Sequence, residues 1–486
     1  MPFYLTTDKL CAIAFGKSYP ESGFDLDRLL SDHAFLNSYL ASDARKLIYG
    51  IDTGFGPHAF QNNEDREENQ KSLVYHLSVS QKSNSISHRE ARAVLAARIH
   101  SLTRGGSCLN PETVSILLEM LNQDCIPLIP EKGSLSASGD LIPLSAIALA
   151  LLGENQWSGK NKSYGPTIEN EKKSKLKGLP KSFRPKEALS ITNGTSFTTA
   201  LLALQVEESS ALLSQTINYL KELFGFHAVF ADAFLPALHE TKNHNGPVII
   251  ANLLHPTLLK NPKAKRTGKR IQDPYSIRCI PQILGSILDE ISGVKITVED
   301  ELNSLSDNPI YVEGENRFVE GGNFYASHVS FAADRLQNGL AVFATWVERM
   351  VQYLFNPQEN CEFPLMLSPN PGRYAGLSGL GLLATHLTAE IRRDSMPGSV
   401  QSIPSNGGNQ DIVPMGAISV LRNRRTIESL YSLLSILVYS IFQAAHLKGI
   451  SLTEKNTFRN LTGLNEDRNL DEELKIIEQL LKNNSG

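Results

Sequence analysis

The stretch Lys132–Leu152, KGSLSASGDLIPLSAIALALL, sets three serines and two glycines directly before the most apolar helix-like run of the chain. Asp140 can serve as the N-cap of a helix beginning at Leu141, with Pro143 tolerated in its first turn. That accounts for the carboxylate and the apolar run and leaves Ala137-Ser138-Gly139, three of the smallest residues, unexplained. A second reading covers the triplet. In a tightly bent backbone the amide nitrogen of Gly139 can attack the carbonyl carbon of Ala137, because glycine at the attacking position and alanine at the attacked one leave the approach unobstructed. Ser138 then loses its hydroxyl as water. The product is a methylidene-imidazolone, a five-membered ring carrying an electrophilic alkene that no ordinary side chain supplies. The N-terminus of the following helix adds positive potential, which favours electron flow into such a ring.

The rest of the chain suits a large globular protein. It has 486 residues, of which 41% are apolar and 20% charged, and a net charge of -4. These values exclude disordered and fibrous classes, and no global field draws nucleic acid or an anionic membrane. Five scattered cysteines form no CxxC and stand in no Cys/His cluster, so metal-ligand spacing is absent. No basic segment leads into a long apolar run near the start, and the chain reads as cytosolic with reduced thiols. Basic residues gather at Lys172–Lys177 and at Lys260–Arg270, the first a solvated loop.

Short helices are expected at Arg89–Leu102 and Pro111–Leu121, the second capped by Asn110 with Pro111 at N1. Gly153–Pro185 is rich in Lys, Gly and Ser and reads as an exposed excursion. From Ser196 onward, patterns at Ser196–Phe226, His328–Phe355 and Ile412–Leu447 each exceed about 25 residues at helical spacing. Helices apolar around so much of their circumference need other helices to cover them. The expectation is a mainly α protein, a long central helical bundle with a mixed N-terminal region. With no internal repeat and no linker, residues 1–486 read as a single domain.

The triplet segment is similar to the prosthetic-group segment of the aromatic amino acid ammonia-lyases, the family of histidine, phenylalanine and tyrosine lyases and the related aminomutases. Six further stretches match in the family's order: YGIDTGFG (Tyr49–Gly56), NGTS (Asn193–Ser196), QDPYSIRCIPQILG (Gln272–Gly285), NSLSDNPI (Asn303–Ile310), GGNFYA (Gly321–Ala326) and NQDIVPMG (Asn409–Gly416). The resemblance implies the fumarase/aspartase-like ammonia-lyase fold without the plant-type insertion. It also implies a 4-methylidene-imidazol-5-one formed autocatalytically from Ala137, Ser138 and Gly139 with no external cofactor, and a homotetramer whose active sites are shared between chains. The partner is a small aromatic amino acid, with no nucleic acid and no membrane.

The same resemblance distributes the roles. Tyr49 becomes the base at the β-carbon, on a glycine-rich loop suited to a lid, where Gly54 and Gly56 would let the backbone approach the substrate. Arg278 becomes the carboxylate clamp, since a planar guanidinium matches two oxygens. Tyr275 shares its helical face and lies near the prosthetic group. Asn193 hydrogen-bonds the ring or the amine, Gln272 belongs to the substrate-binding set, and Phe324 lines the aromatic pocket. Histidine lyases usually carry a glutamate where this chain has Gln410. SLVYHLSVS (Ser72–Ser80) resembles the selectivity segment of bacterial tyrosine lyases, with His76 placed for a phenolic hydroxyl and Leu77 beside it. Together these favour tyrosine, with a phenylalanine or histidine ammonia-lyase or a tyrosine 2,3-aminomutase as the alternatives. A non-catalytic helical scaffold is disfavoured because Tyr49, Ser138, Asn193, Tyr275 and Arg278 are all present, and no GxSxG follows a strand pattern to suggest a serine hydrolase. Departures from the family are Asp52, where Asn or Thr is usual, Pro414 in place of Ser, and Ser78-Val79-Ser80 in place of small Ala/Gly residues.

Ring closure removes two waters. Intact-mass spectrometry of the folded protein is therefore expected to fall two water masses below the sequence value, with the deficit mapped to Ala137–Gly139 and absent from Ser138→Ala; a full sequence mass would contradict this.

Overall fold

The structure is a computed structural model that describes residues 3–20, 25–42, 46–79, 84–154, 157–158, 176, 178–263, 272–453 and 455–483. Most of Gly153–Pro185, Ser80 and residues 264–270 of the second basic stretch lie outside the described residues. The protein is mostly helical, and among the described residues its only sheet is the antiparallel pair Ile310–Val312 and Arg317–Val319. It divides into two compact units, each assembled from separated stretches of chain.

The first unit comprises Met1–Leu204, Lys295–Asp334 and Pro397–Leu421. Its helices start where the sequence supplies acceptors. Asp65 accepts from the Glu68 amide at the head of Arg66–Leu77, Ser87 and Glu90 form a capping box on His88–Leu102, and Asn110 accepts from Glu112 ahead of Pro111–Asn122. His88–Leu102 is buried at every position from Ala91 onward, as its run of small residues permits. A cluster of Leu36, Ile48, Ile51, Cys108 and Tyr311 anchors the chain on both sides of Tyr49, with the Phe35 and Tyr311 rings stacked 3.9 Å apart.

The second unit comprises Gln205–Val294, Arg335–Met396 and Arg422–Gly486. It carries Asn245–Lys260, the short Tyr275–Arg278 helix, Ser378–Arg393 and Asp471–Asn483. Trp346 Nε1 donates to Ser276 O at 2.9 Å and fixes the short helix to its neighbour.

The three long helices occupy Ser196–Phe226, Ser327–Phe355 and Gly416–Leu447. The last begins four residues later than its apolar pattern suggests. Met415 sits at φ 56° directly after Pro414, a conformation that cannot continue a right-handed helix. Gly416–Leu447 has the length and apolarity of a membrane-crossing helix, but 78% of its most apolar window is buried within the protein.

Candidate active site

The serine-rich joint is held by a buried carboxylate. Asp140 stands at the N-cap position of Leu141–Leu151 but makes no side-chain hydrogen bond to that helix, which corrects the local reading of its role. Its Oδ2 instead accepts from the amide of Thr198, in the first turn of Ser196–Phe226, at 2.9 Å. Its Oδ1 accepts from the hydroxyls of Ser134 at 2.6 Å, Thr198 at 2.8 Å and Ser136 at 3.2 Å. Burial pushes the Asp140 carboxyl upward, against the pull of these donors. Ser136 Oγ also accepts from Ala417 N at 2.8 Å, at the start of Gly416–Leu447. Thus Asp140 and Ser136 tie the joint to the N-termini of two further helices, whose positive ends lie beside it.

The triplet itself is crowded from one side. Gly139 adopts φ 68°, and a Cβ there would lie 2.4 Å from both N and O of Gly194, so only glycine fits. Asn193 Nδ2 donates to Ser138 O at 3.1 Å, and Gln410 Nε2 donates to Ser138 Oγ at 2.8 Å. Asn193 Oδ1 is buried without a hydrogen-bond partner. Ala137 packs against Val413 and Met415. These residues fit an imidazolone closed from the triplet: a donor already meets the oxygen that would become the ring carbonyl, and the cradle admits no side chain at position 139.

Ser138 opens onto a cavity of about 710 Å³. Of the residues singled out in the sequence, Tyr49, Gly56, His76, Asn193, Phe324 and Gln410 line it with Ser138. Leu77 is buried and is not among its lining residues. Gln272, Tyr275 and Arg278 belong to the second unit and are not among them either. Gln272 is exposed, Tyr275 is 69% exposed, and the Arg278 guanidinium lies 4.6 Å from the Tyr275 ring centroid, so the two share a face. No Asp, Glu, Lys or Arg lines the cavity among the described residues.

The Tyr49 hydroxyl accepts from Gly56 N at 2.9 Å. Burial raises the phenol above its ordinary range, the Gly56 amide opposes this, and nearby Glu320 adds to it. Asp52, the unusual residue of this loop, accepts from Ile48 N at 2.9 Å and pairs with Arg66 at 3.0 Å. Its charge is thereby taken up by the first residue of the helix that carries His76. The glycines of the loop are required by the protein's own packing: a Cβ at Gly56 would lie 2.6 Å from Asn406 Nδ2, and one at Gly54 would lie 2.8 Å from His58.

Sequence reasoning passed over Asn308, Asn406 and Asn409, which also line the cavity, although Asn308 and Asn409 fall inside matched segments. It also passed over Gln70. This wholly buried amide donates to Gly50 O at 2.8 Å and accepts from Leu189 N at 3.1 Å, so one side chain joins the Tyr49 loop to the Glu187–Thr192 helix that leads to Asn193. Arg66, Asn69 and Gln70 all reach the loop from one helical face, a spacing of three and four that hints at a shared partner.

The aromatic amino acid lyase family model matches residues 5–463. This chain belongs to the aromatic amino acid lyase family. It is an enzyme of the carbon–nitrogen lyase class. A histidine ammonia-lyase of Bacillus mycoides (strain KBAB4) is 33% identical to it over 453 residues, 90% of this chain and 88% of that protein. The solved structure of a tyrosine aminomutase from Streptomyces globisporus superposes with a TM-score of 0.89 at 27% identity, covering 100% of this chain and 97% of that one. A phenylalanine aminomutase from Pantoea agglomerans gives 0.91 at 26% identity, with 99% and 98% covered.

Replacing Gln70 by Leu leaves two buried main-chain groups unpaired, each costing about 1–3 kcal/mol. Chemical denaturation is expected to show a loss of about 2–6 kcal/mol, with faster amide exchange at residues 50–56; unchanged exchange there would show that Gln70 does not hold the loop.

Proposed function

We propose that the chain eliminates ammonia from L-tyrosine to give 4-coumarate, within a single lyase unit spanning residues 1–486. The observation that carries this reading is the convergence of Tyr49, Ser138, Asn193, His76 and Gln410 on one cavity free of charged side chains. The ring formed from Ala137-Ser138-Gly139 supplies an electrophilic alkene that draws electrons from the substrate amine. Tyr49 removes the β-proton, and Asn193 holds the Ser138 oxygen through its amide. His76 Nδ1 lies 3.1 Å from Ser72 O. A carbonyl can only accept, so this contact places the proton on Nδ1 and leaves Nε2 as an acceptor for the phenolic hydroxyl. Gln410 offers an uncharged amide where a glutamate would favour imidazole.

An amino acid carboxylate needs a cation that the cavity lining lacks. Arg278 and Tyr275 of another copy would supply the clamp and complete the site, in a homotetramer with shared active sites. Tyr275 borders an apolar hollow of about 490 Å³ with Ile283, Val342 and Trp346. Val342, Leu382 and Met396 are exposed on the same unit, the kind of surface that a second chain covers. An aminomutase outcome is the second reading, favoured by the likeness to a tyrosine aminomutase and a phenylalanine aminomutase.

Incubation with tyrosine, phenylalanine and histidine, with separation of acrylate from β-amino acid products, distinguishes these readings. Tyrosine is expected to react fastest and histidine negligibly. His76→Phe should lower kcat/KM for tyrosine relative to phenylalanine by about one to two powers of ten, the worth of a hydrogen bond that bound substrate screens from water, about 1–3 kcal/mol. Equal losses on both substrates would mean that His76 only packs.

The pH dependence follows from Tyr49. A base whose pKa is raised is protonated at neutral pH, so kcat/KM should climb into the alkaline range. Glu320→Gln removes one of the raising charges, and the alkaline limb should move to lower pH; a limb that stays in place would detach Glu320 from the base.

A further inference from the structure

Arg98, on His88–Leu102, is wholly buried at 0% exposure. Such a cation is costly inside a protein unless it is paired, yet none of the described carboxylates forms an ion pair with it. Burial draws its pKa down to about 10, with Asp307 and Asp140 acting in the opposite direction from a distance. Its donors go to main-chain carbonyls. Nη1 reaches Ser306 O at 2.9 Å, and Nη2 reaches Asn193 O at 3.1 Å and also Ser190 O. Ser190 and Asn193 belong to the C-terminal end of Glu187–Thr192, where carbonyls lack intrahelical partners. Helix capping accounts for those two bonds but not for Ser306, from a segment 208 residues away.

The position of Gly194 gives the arrangement its meaning. A Cβ on Gly194 would lie 1.9 Å from Arg98 Nη1, and a Cβ on Gly139 would lie 2.4 Å from the Gly194 backbone. Arg98, Gly194 and Gly139 are therefore stacked with no room for a methyl group between neighbours. Asp140 N donates to Gly194 O at 2.7 Å and keeps the inner contact closed. Ring closure needs this kind of compression, because the Gly139 nitrogen must approach the Ala137 carbonyl carbon against the normal extension of the chain.

We propose that Arg98 is a positioning residue for ring closure: its guanidinium seats the Asn193–Gly194 turn so that Gly194 presses on Gly139 while Asn193 Nδ2 meets Ser138 O. The proposal rests on the imidazolone reading given above. In the closure, a bond forms between Gly139 N and Ala137 C, and the Ala137 oxygen leaves as water with the Gly139 and Ser138 amide protons. Ser138 Oγ leaves as a second water with the Ser138 α-proton. No oxidant is needed.

The test compares wild type, Arg98→Lys, Arg98→Met and Gly194→Ala by intact mass and thermal unfolding. Lysine keeps the charge but cannot span three carbonyls in one plane, and a methyl at Gly194 dislodges the guanidinium. All three variants are expected to unfold cooperatively, while the fraction of chains lacking two waters drops about tenfold or more, since small misplacements of reacting atoms slow such steps about 100-fold. A role confined to packing would lower the unfolding temperature and leave the mass deficit intact. Folded variants with the full deficit overturn the proposal. Variants that cannot fold also overturn it, because they assign Arg98 to folding alone. A wild-type protein at full sequence mass would show separately that the imidazolone reading has failed, and this proposal with it.

Discussion

The buried carboxylate of Asp140 is the constraint on which the site depends. It is out of water and raised by burial, yet it gathers an amide and three hydroxyls from two parts of the chain, Ser134–Ser136 and Thr198. Oδ2 relies on the Thr198 amide, whose loss would leave a buried oxygen without its partner, while the hydroxyls of Ser134, Ser136 and Thr198 share Oδ1, so the three residues are bound into one geometry. That geometry places Ser138 at the cavity and sets the heads of Leu141–Leu151, Ser196–Phe226 and Gly416–Leu447 around the triplet. Three helix N-termini beside one small-residue loop make a site that favours electron-rich species. Behind it, Gly194 and Arg98 remove the slack that an ordinary turn would keep.

The side of the site that holds Tyr49 is built differently. The loop around Tyr49 is anchored by apolar neighbours Ile48 and Ile51 and sewn down by Arg66, Asn69 and Gln70 from one helix. Asp52, which departs from the family's usual residue, becomes intelligible here. Its carboxylate closes the turn at Ile48 and is neutralised by Arg66. The same helix carries His76, so the Tyr49 loop and His76 are held by one rigid element, which is how a site keeps precise distances.

Periodic features were legible in the sequence. Ser196–Phe226 appears with the ends its pattern suggests, and Pro111–Asn122 with its Asn110 cap, because helical spacing and caps are local signals. The triplet, Asn193 and Gln410 were found as short motifs, and the fold brings them together. What stayed hidden was long-range. Asp140 reads locally as a cap for its own helix, yet its carboxylate serves Thr198, 58 residues away. Gln70 and Arg98 look like ordinary helical residues, since nothing in their neighbours reveals the carbonyls they meet. The late start of Gly416–Leu447 was signalled by Pro414, whose meaning depended on the positive φ of Met415.

The claim that orders the rest is that Ala137-Ser138-Gly139 is an electrophile built by the fold. A crystal structure with side-chain detail at these residues tests it most directly. The account predicts density for a closed five-membered ring joining Gly139 N to Ala137 C, with no oxygen at the Ser138 β-carbon and Asn193 Nδ2 against the ring carbonyl. A linear tripeptide with an ordinary Ser138 hydroxyl would contradict it.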